Sequence, residues 1–167
     1  MMGEAVGQVK VVVANGKSLV IRDFKSSDPY VVLKLGNQTA KTKVINSCLN
    51  PVWNEEFSFN FSEPVGKLKL EVFDKDRFKA DDKMGHAQVS LQPLVAAARL
   101  KQVLRVAEDG MTLRKVIPES DNCLAAESSI IWANGAVIQD VWLRLCEVES
   151  GEIHLKIELA KLPSGVR

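Results

Sequence analysis

The chain has 167 residues, of which 46% are apolar and 26% charged, and its formal net charge is +1. That is enough apolar material for one packed domain and excludes a disordered tail protein. The near-zero charge excludes a global field that would draw the chain to nucleic acid, and no run approaches the roughly 18 apolar residues of a membrane span.

Taken in order, the chain opens on Met1-Met2-Gly3-Glu4-Ala5-Val6, which lacks the basic and apolar regions of a signal peptide. Gln8 to Ala14 is β-branched and apolar and predicts a strand, with Asn15-Gly16 as a turn. A first acidic loop, Arg22 to Asp28, follows. Asp28-Pro29 then opens a second strand, Tyr30 to Leu35, closed by Gly36-Asn37; proline is tolerated at a strand's first residue. Thr39 to Ile45 predicts a third strand with Lys41 and Lys43 on one face. Trp53 to Phe61 alternates, with Phe57, Phe59 and Phe61 inward. Pro64-Val65-Gly66 turns into Lys67 to Phe73, a half-buried strand that runs into a second acidic loop, Asp74 to Asp82. Gly85 to Leu91 is a further strand.

The pattern then changes. Pro93 to Leu100 predicts a short helix, since proline suits a first turn and good helix formers follow it. Short strands are expected at Met111–Ile117 and near Ser129–Trp132, with Asn134-Gly135 as a hairpin turn. Two strong strands end the chain, through Val141, Leu143 and Leu145 and through Ile153, Leu155, Ile157 and Leu159. Many short strands with regular turns mean an all-β antiparallel sandwich or barrel in one domain. The cysteines, Cys48, Cys123 and Cys146, are widely spaced with no Cys-x-x-Cys. That suits reduced thiols in cytosol or nucleus, acting as small semi-apolar fillers.

The two acidic loops carry the chemistry. If they meet, Asp23, Asp28, Asp74, Asp76 and Asp82 converge. Two unit charges about 4 Å apart repel by about 4 kcal/mol at an effective dielectric near 20, so such a cluster calls for a counterion. Oxygen-only ligands suit a hard divalent ion, and calcium's flexible shell suits loops. Phe24 and Phe78 sit at the loop tips among polar neighbours, placed either to dip into a bilayer or to pack beneath the loops. Lys34, Lys41 and Lys43 form either a basic face for anionic lipid, each cation contributing about 1 kcal/mol near such a leaflet, or a solvated one. His86 and His154 are lone histidines with no visible catalytic partner, so no enzyme is expected.

Ser27-Asp28-Pro29-Tyr30-Val31 after Asp23, Lys41-Thr42-Lys43, Asn50-Pro51-x-Trp53-Asn54-Glu55 and Asp74-x-Asp76-x5-Asp82-x-Met84-Gly85 together resemble a C2 domain. Asn122-Cys123-Leu124-Ala125-x-Glu127-Ser128, Trp132, Gln139-Asp140-x3-Arg144-Leu145 and Val148-Glu149-x-Gly151-Glu152 resemble the plant C2-domain abscisic-acid-related family, which includes activators of YchF-type GTPases. The resemblance implies an eight-stranded antiparallel C2 β-sandwich of type II topology spanning 1–167, with a family insert at about 93–136 that adds a helix and short strands. It implies that Asp23, Asp28, Asp74, Asp76 and Asp82 are side-chain ligands for calcium, expected as two ions, with Arg22 and Lys75 offering backbone carbonyls. It further implies calcium-dependent binding to anionic phospholipid, and recruitment of abscisic-acid receptors to the plasma membrane or stimulation of a GTPase by contact. The protein would then be cytoplasmic and nuclear, and peripheral at the plasma membrane when calcium is bound.

Overall fold

The computed structural model describes residues 6–22, 25–105 and 108–163. Within them the chain runs β1 (Gly7–Lys17), β2 (Pro29–Leu35), β3 (Gln38–Lys41), β4 (Val52–Phe61), β5 (Lys67–Asp74), β6 (Asp82–Ser90), α1 (Gln92–Leu104), β7 (Met111–Val116), β8 (Ser128–Ala133), β9 (Ala136–Arg144) and β10 (Glu152–Lys161). Two antiparallel sheets result, a six-stranded one in the order β4-β1-β10-β9-β8-β7 and a four-stranded one in the order β3-β2-β5-β6. The expected all-β sandwich is therefore present. Its extra short strands, β7 and β8, lengthen one sheet beyond the other, and the helix lies between β6 and β7.

The core follows from the period-2 alternation of the strands. Val9, Val11 and Val13 of β1 and Ile153, Leu155 and Ile157 of β10 meet Val31, Leu33, Leu70 and Val72 from the smaller sheet in one fully buried cluster. Each such side chain contributes roughly 1.5–3 kcal/mol by leaving water. Asn134 and Gly135 take positive φ (53° and 78°) and close the β8–β9 hairpin, the two-residue turn their sequence predicts.

Three elements depart from expectation. Asn15-Gly16 does not turn: β1 continues through it to Lys17, pairing on both sides, and a bulge after Val13 absorbs the irregularity. A β-carbon at Gly16 would lie 3.1 Å from Ile153 Cδ1, so this glycine serves close packing within a strand. The third strand stops at Lys41 because the Thr42 hydroxyl, not a backbone carbonyl, accepts the Val31 N–H at 2.9 Å. Lys43 therefore lies beyond the strand, where its N–H donates to Glu55 Oε2 and its carbonyl accepts from Trp53 Nε1.

The helix is one turn longer than expected. It ends where Arg105 adopts a left-handed φ of 53° and donates its N–H to the Lys101 carbonyl. Lys101 Nζ lies 3.6 Å from the Trp132 ring, a cation–π contact that ties the added turn to β8. Leu94 and Val95 pack on the sandwich, as their apolar character suggests. Leu100 and Leu104 do not: they are exposed, beside Val103.

Candidate metal and lipid-binding end

Strand register, more than loop shape, assembles the acidic end. Asp74 is the last residue of β5, and it sits opposite Pro29 of β2 on one side and Asp82, the first residue of β6, on the other. Asp28 immediately precedes β2. Asp28, 46 residues upstream, is thus delivered beside Asp74 and Asp82 at one end of the four-stranded sheet by its hydrogen-bond ladder. Asp74 is 1% exposed and accepts the Asp28 N–H on Oδ1 at 2.8 Å. Asp28 Oδ1 in turn accepts the Ser47 N–H at 2.6 Å. Asp76, two residues beyond β5, caps its own loop by accepting N–H groups from Phe78 and Lys79.

Arg22 and Lys75, expected as carbonyl donors, both lie at this end. The Lys75 N–H donates to the Asp28 carbonyl, and the Arg22 N–H donates to Ser27 Oγ. The Arg22 guanidinium reaches the Lys83 carbonyl and Glu149 Oε2, and that hydrogen bond holds the Glu149 carboxyl below its ordinary range. Asp23 and Phe24 fall outside the described residues. Among the described residues, no group of three or more His, Cys, Asp or Glu side chains forms a set that could hold a metal ion.

The chemistry of the donors nevertheless fits a hard cation. Every candidate side chain at this end is a carboxylate, and one of them is buried. A cation already stands among them: Lys79 Nζ lies 4.0 Å from Asp76 Oδ2 and 4.0 Å from Asp82 Oδ1. Asp28, Asp74, Asp76 and Asp82 are the described candidate carboxylates at this end, and the charge of a divalent cation would offset their repulsion.

Asp81 reads from the sequence as a solvated loop carboxylate, and the structure gives it a different role. It is only 17% exposed, accepts the Asp76 N–H on one oxygen and a hydrogen bond from the Tyr30 hydroxyl on the other. It therefore braces the second acidic loop against β2. Its one available signal was its place beside Asp82; the tyrosine that holds it is 51 residues away. The Tyr30 bond, followed by the Asp76 N–H, holds the Asp81 carboxyl below its ordinary range.

Burial first, then the Asp81 bond, pushes the Tyr30 phenol from 10.0 up to about 12. The folded chain thus favours the neutral phenol. The stability this provides is complete below about pH 10 and is lost as pH rises toward about 12. Tyr30 is the single tyrosine of the chain, so an ultraviolet tyrosinate titration reads it alone. A midpoint near 12 is expected, and Tyr30→Phe should remove both the signal and its share of the alkaline destabilisation. A midpoint at the ordinary value would mean that the brace does not form.

Phe78, at the tip of the second loop, is 94% exposed, which removes the alternative of packing beneath the loops. Lys34, Lys41 and Lys43 are all exposed. Lys34 and Lys41 share a face through the pairs Lys34↔Thr39 and Val32↔Lys41, and Lys41 Nζ approaches the Tyr30 ring. A further lysine, Lys69, which no sequence motif singles out, sits directly opposite Lys34 in the β2–β5 ladder. Lys34 and Lys69 border a shallow concavity of about 500 Å³ with Val32, Glu71 and His86. The alternation Lys67-Leu68-Lys69 already put that lysine on the outer face; only the pairing put it beside Lys34.

A C2-domain family model matches residues 7–106. The chain is 64% identical to "Protein C2-DOMAIN ABA-RELATED 11" of Arabidopsis thaliana over 162 residues, covering 97% of this chain and 98% of that relative. It is 44% identical to "GTPase activating protein 1" of Oryza sativa subsp. japonica, covering 99% of this chain and 98% of that one. Among solved structures, the tandem C2 domains of Extended-Synaptotagmin 2 superpose with a TM-score of 0.65 at 24% identity, covering 97% of this chain and 44% of that longer one. A "C2 domain-containing protein from putative elicitor-responsive gene" gives 0.54 at 26% identity, covering 100% and 98%.

Proposed function

This chain belongs to the C2-domain family, in its plant abscisic-acid-related branch, and from that premise we propose that it is a calcium-gated adaptor for anionic phospholipid. The whole chain, 1–167, is read as a single C2 module with residues 93–136 as its insert. The observation that carries the proposal is the meeting, at one end of the sandwich, of acidic strand ends with a phenylalanine exposed at the loop tip.

Calcium, when bound, supplies positive charge that lipid phosphate oxygens can complete. Asp28, Asp74, Asp76 and Asp82, with Asp23, would hold it, and the Arg22 and Lys75 carbonyls would complete the set. Two ions would offset most of the charge of these five carboxylates. Phe78, joined by Phe24, then enters the acyl boundary, where one ring contributes roughly 1.5–3 kcal/mol. Lys34 and Lys69 face each other across two strands, where like charges repel. A phosphate between them relieves that repulsion, and Lys41 and Lys43 extend the basic surface. The protein is a binding module, not an enzyme. It resides in cytoplasm and nucleus and moves to the plasma membrane as calcium rises.

Sedimentation with phosphatidylserine vesicles, in calcium and then in chelator, tests the gating. Pelleting in calcium alone is expected; equal pelleting in both would end the claim. Lys79 gives a finer test. Its ammonium competes with an incoming ion for Asp76 and Asp82, so Lys79→Ala should raise calcium affinity roughly two- to fivefold, the worth of an exposed ion pair. Unchanged or weaker affinity by calorimetric titration would count against that competition.

The partner carried to the bilayer is read as an abscisic-acid receptor. A second reading, activation of a YchF-type GTPase by contact, is favoured by the exposed row Leu100, Val103 and Leu104 on α1, a cluster of apolar side chains left in water on the insert. Of the insert's arginines, Arg99 is committed to Glu63 and the Pro163 carbonyl. GTP turnover of the candidate partner, with and without this protein, separates the two readings.

A further inference from the structure

Cys123 and Cys146 are separated by 23 residues, yet their Sγ atoms lie 3.8 Å apart. The cause is local pairing. Leu124 bridges Leu143 in antiparallel fashion, and the Cys123 carbonyl accepts the Arg144 N–H at 2.7 Å, so Cys146 lies on the adjoining diagonal. Cys146 is anchored on its other side. Its N–H donates to the His86 carbonyl at 2.7 Å, and its carbonyl accepts the His86 N–H at 3.2 Å. Cys123 also lines a cavity of about 310 Å³, between β6 and the segment 116–124, that is open to solvent.

We propose that Cys123 and Cys146 form an oxidisable pair, a reversible disulfide made by a peroxide that enters along this cavity. The sulfur on the cavity wall meets the oxidant first. Its thiolate attacks a peroxide oxygen, the O–O bond breaks, and hydroxide leaves to be protonated to water, giving a sulfenic acid at Cys123. The Cys146 thiolate then attacks that sulfur, the S–S bond forms, the S–O bond breaks, and a second hydroxide leaves as water. Two thiols lose two electrons, hydrogen peroxide gains them, and two waters result.

Burial, reinforced by the neighbouring Cys123 thiol, pushes the Cys146 thiol up, which lowers its thiolate fraction and suits it to the resolving step, where the two sulfurs are already adjacent. Closing 3.8 Å to the ~2 Å of an S–S bond asks for a movement of under about 2 Å. Residues 117–123 lie outside any strand and can supply it. The bond would fasten the insert to the chain segment that spans the two sheets. This inference is independent of the calcium and lipid reading.

The test is mild oxidation of the whole folded chain with hydrogen peroxide, followed by thiol counting and non-reducing peptide mapping. The free thiols should fall from three to one, with Cys48 retained. The mass should fall by about 2 Da, and one peptide should join Cys123 to Cys146, released by dithiothreitol. Cys48→Ser should still form the bond; Cys123→Ser and Cys146→Ser should not. Three surviving thiols, a bond to Cys48, a disulfide between chains, or passage straight to sulfinic acid would each overturn the proposal. The wild-type peptide map decides even if a variant fails to fold.

Discussion

Replacing Asp74 and Asp76 together by asparagine is expected to abolish calcium-dependent pelleting with anionic vesicles and to weaken calcium binding by at least about 100-fold. Disturbing even the outer shell of a metal site costs about 10–100-fold, and these two side chains are candidate direct ligands. The fold should survive. Asparagine keeps an oxygen at the position where Asp74 accepts the Asp28 N–H, and where Asp76 accepts from Phe78 and Lys79. Removing two negative charges from a crowded edge also relieves repulsion. The melting temperature without calcium should therefore be unchanged or higher than that of the wild type. Calorimetric titration and melting, read side by side, check both halves. A variant that still takes up calcium normally would remove these carboxylates from the site.

The largest effect on stability is expected from Gly85→Ala. Gly85 has a φ of +102° inside β6, at a bulge where the ladder with β5 slips between Glu71 and Phe73. A β-carbon there would stand 2.6 Å from Val148 Cγ1, 3.0 Å from Leu145 Cβ and 3.2 Å from the Cys146 carbonyl. Backbone strain and overpacking each cost about 1–3 kcal/mol, so a loss of about 3 kcal/mol is expected. For a chain of this size that lowers the melting temperature by roughly 10 °C. Gly36→Ala is the control. Gly36 also has positive φ, +59°, but nothing lies within 4 Å of its would-be β-carbon. It should lose only the strain, about 1 kcal/mol. Equal losses in the two variants would show that the close approach of β6 to residues 145–148 is not what demands glycine.

The acidic loops, the alternating strands and the Asn134-Gly135 hairpin were legible because each is a local pattern. Side-chain period, turn chemistry and charge density are set by neighbours a few residues apart. Where a local signal misled, a distant partner had intervened. Asn15-Gly16 has the composition of a turn, yet β4 and β10 hold it extended. Thr42 carries good strand propensity, and its N–H still donates to the Val31 carbonyl, but its hydroxyl takes the returning Val31 N–H in place of a backbone carbonyl and the strand ends at Lys41. Leu100 and Leu104 are as apolar as Leu94, and only the direction in which α1 docks leaves them in water.

By itself, then, the order of residues determined a β-sandwich with hard oxygen donors at one end, because hydrophobic alternation and clustered carboxylates need no long-range information. The tertiary structure alone decided which donors share an edge, that Tyr30 braces Asp81, that Lys69 faces Lys34, and that Cys123 touches Cys146. Those are pairings across sheets and between strands far apart in the chain. They depend on register, and a slip of one residue would turn each of these side chains to the opposite face.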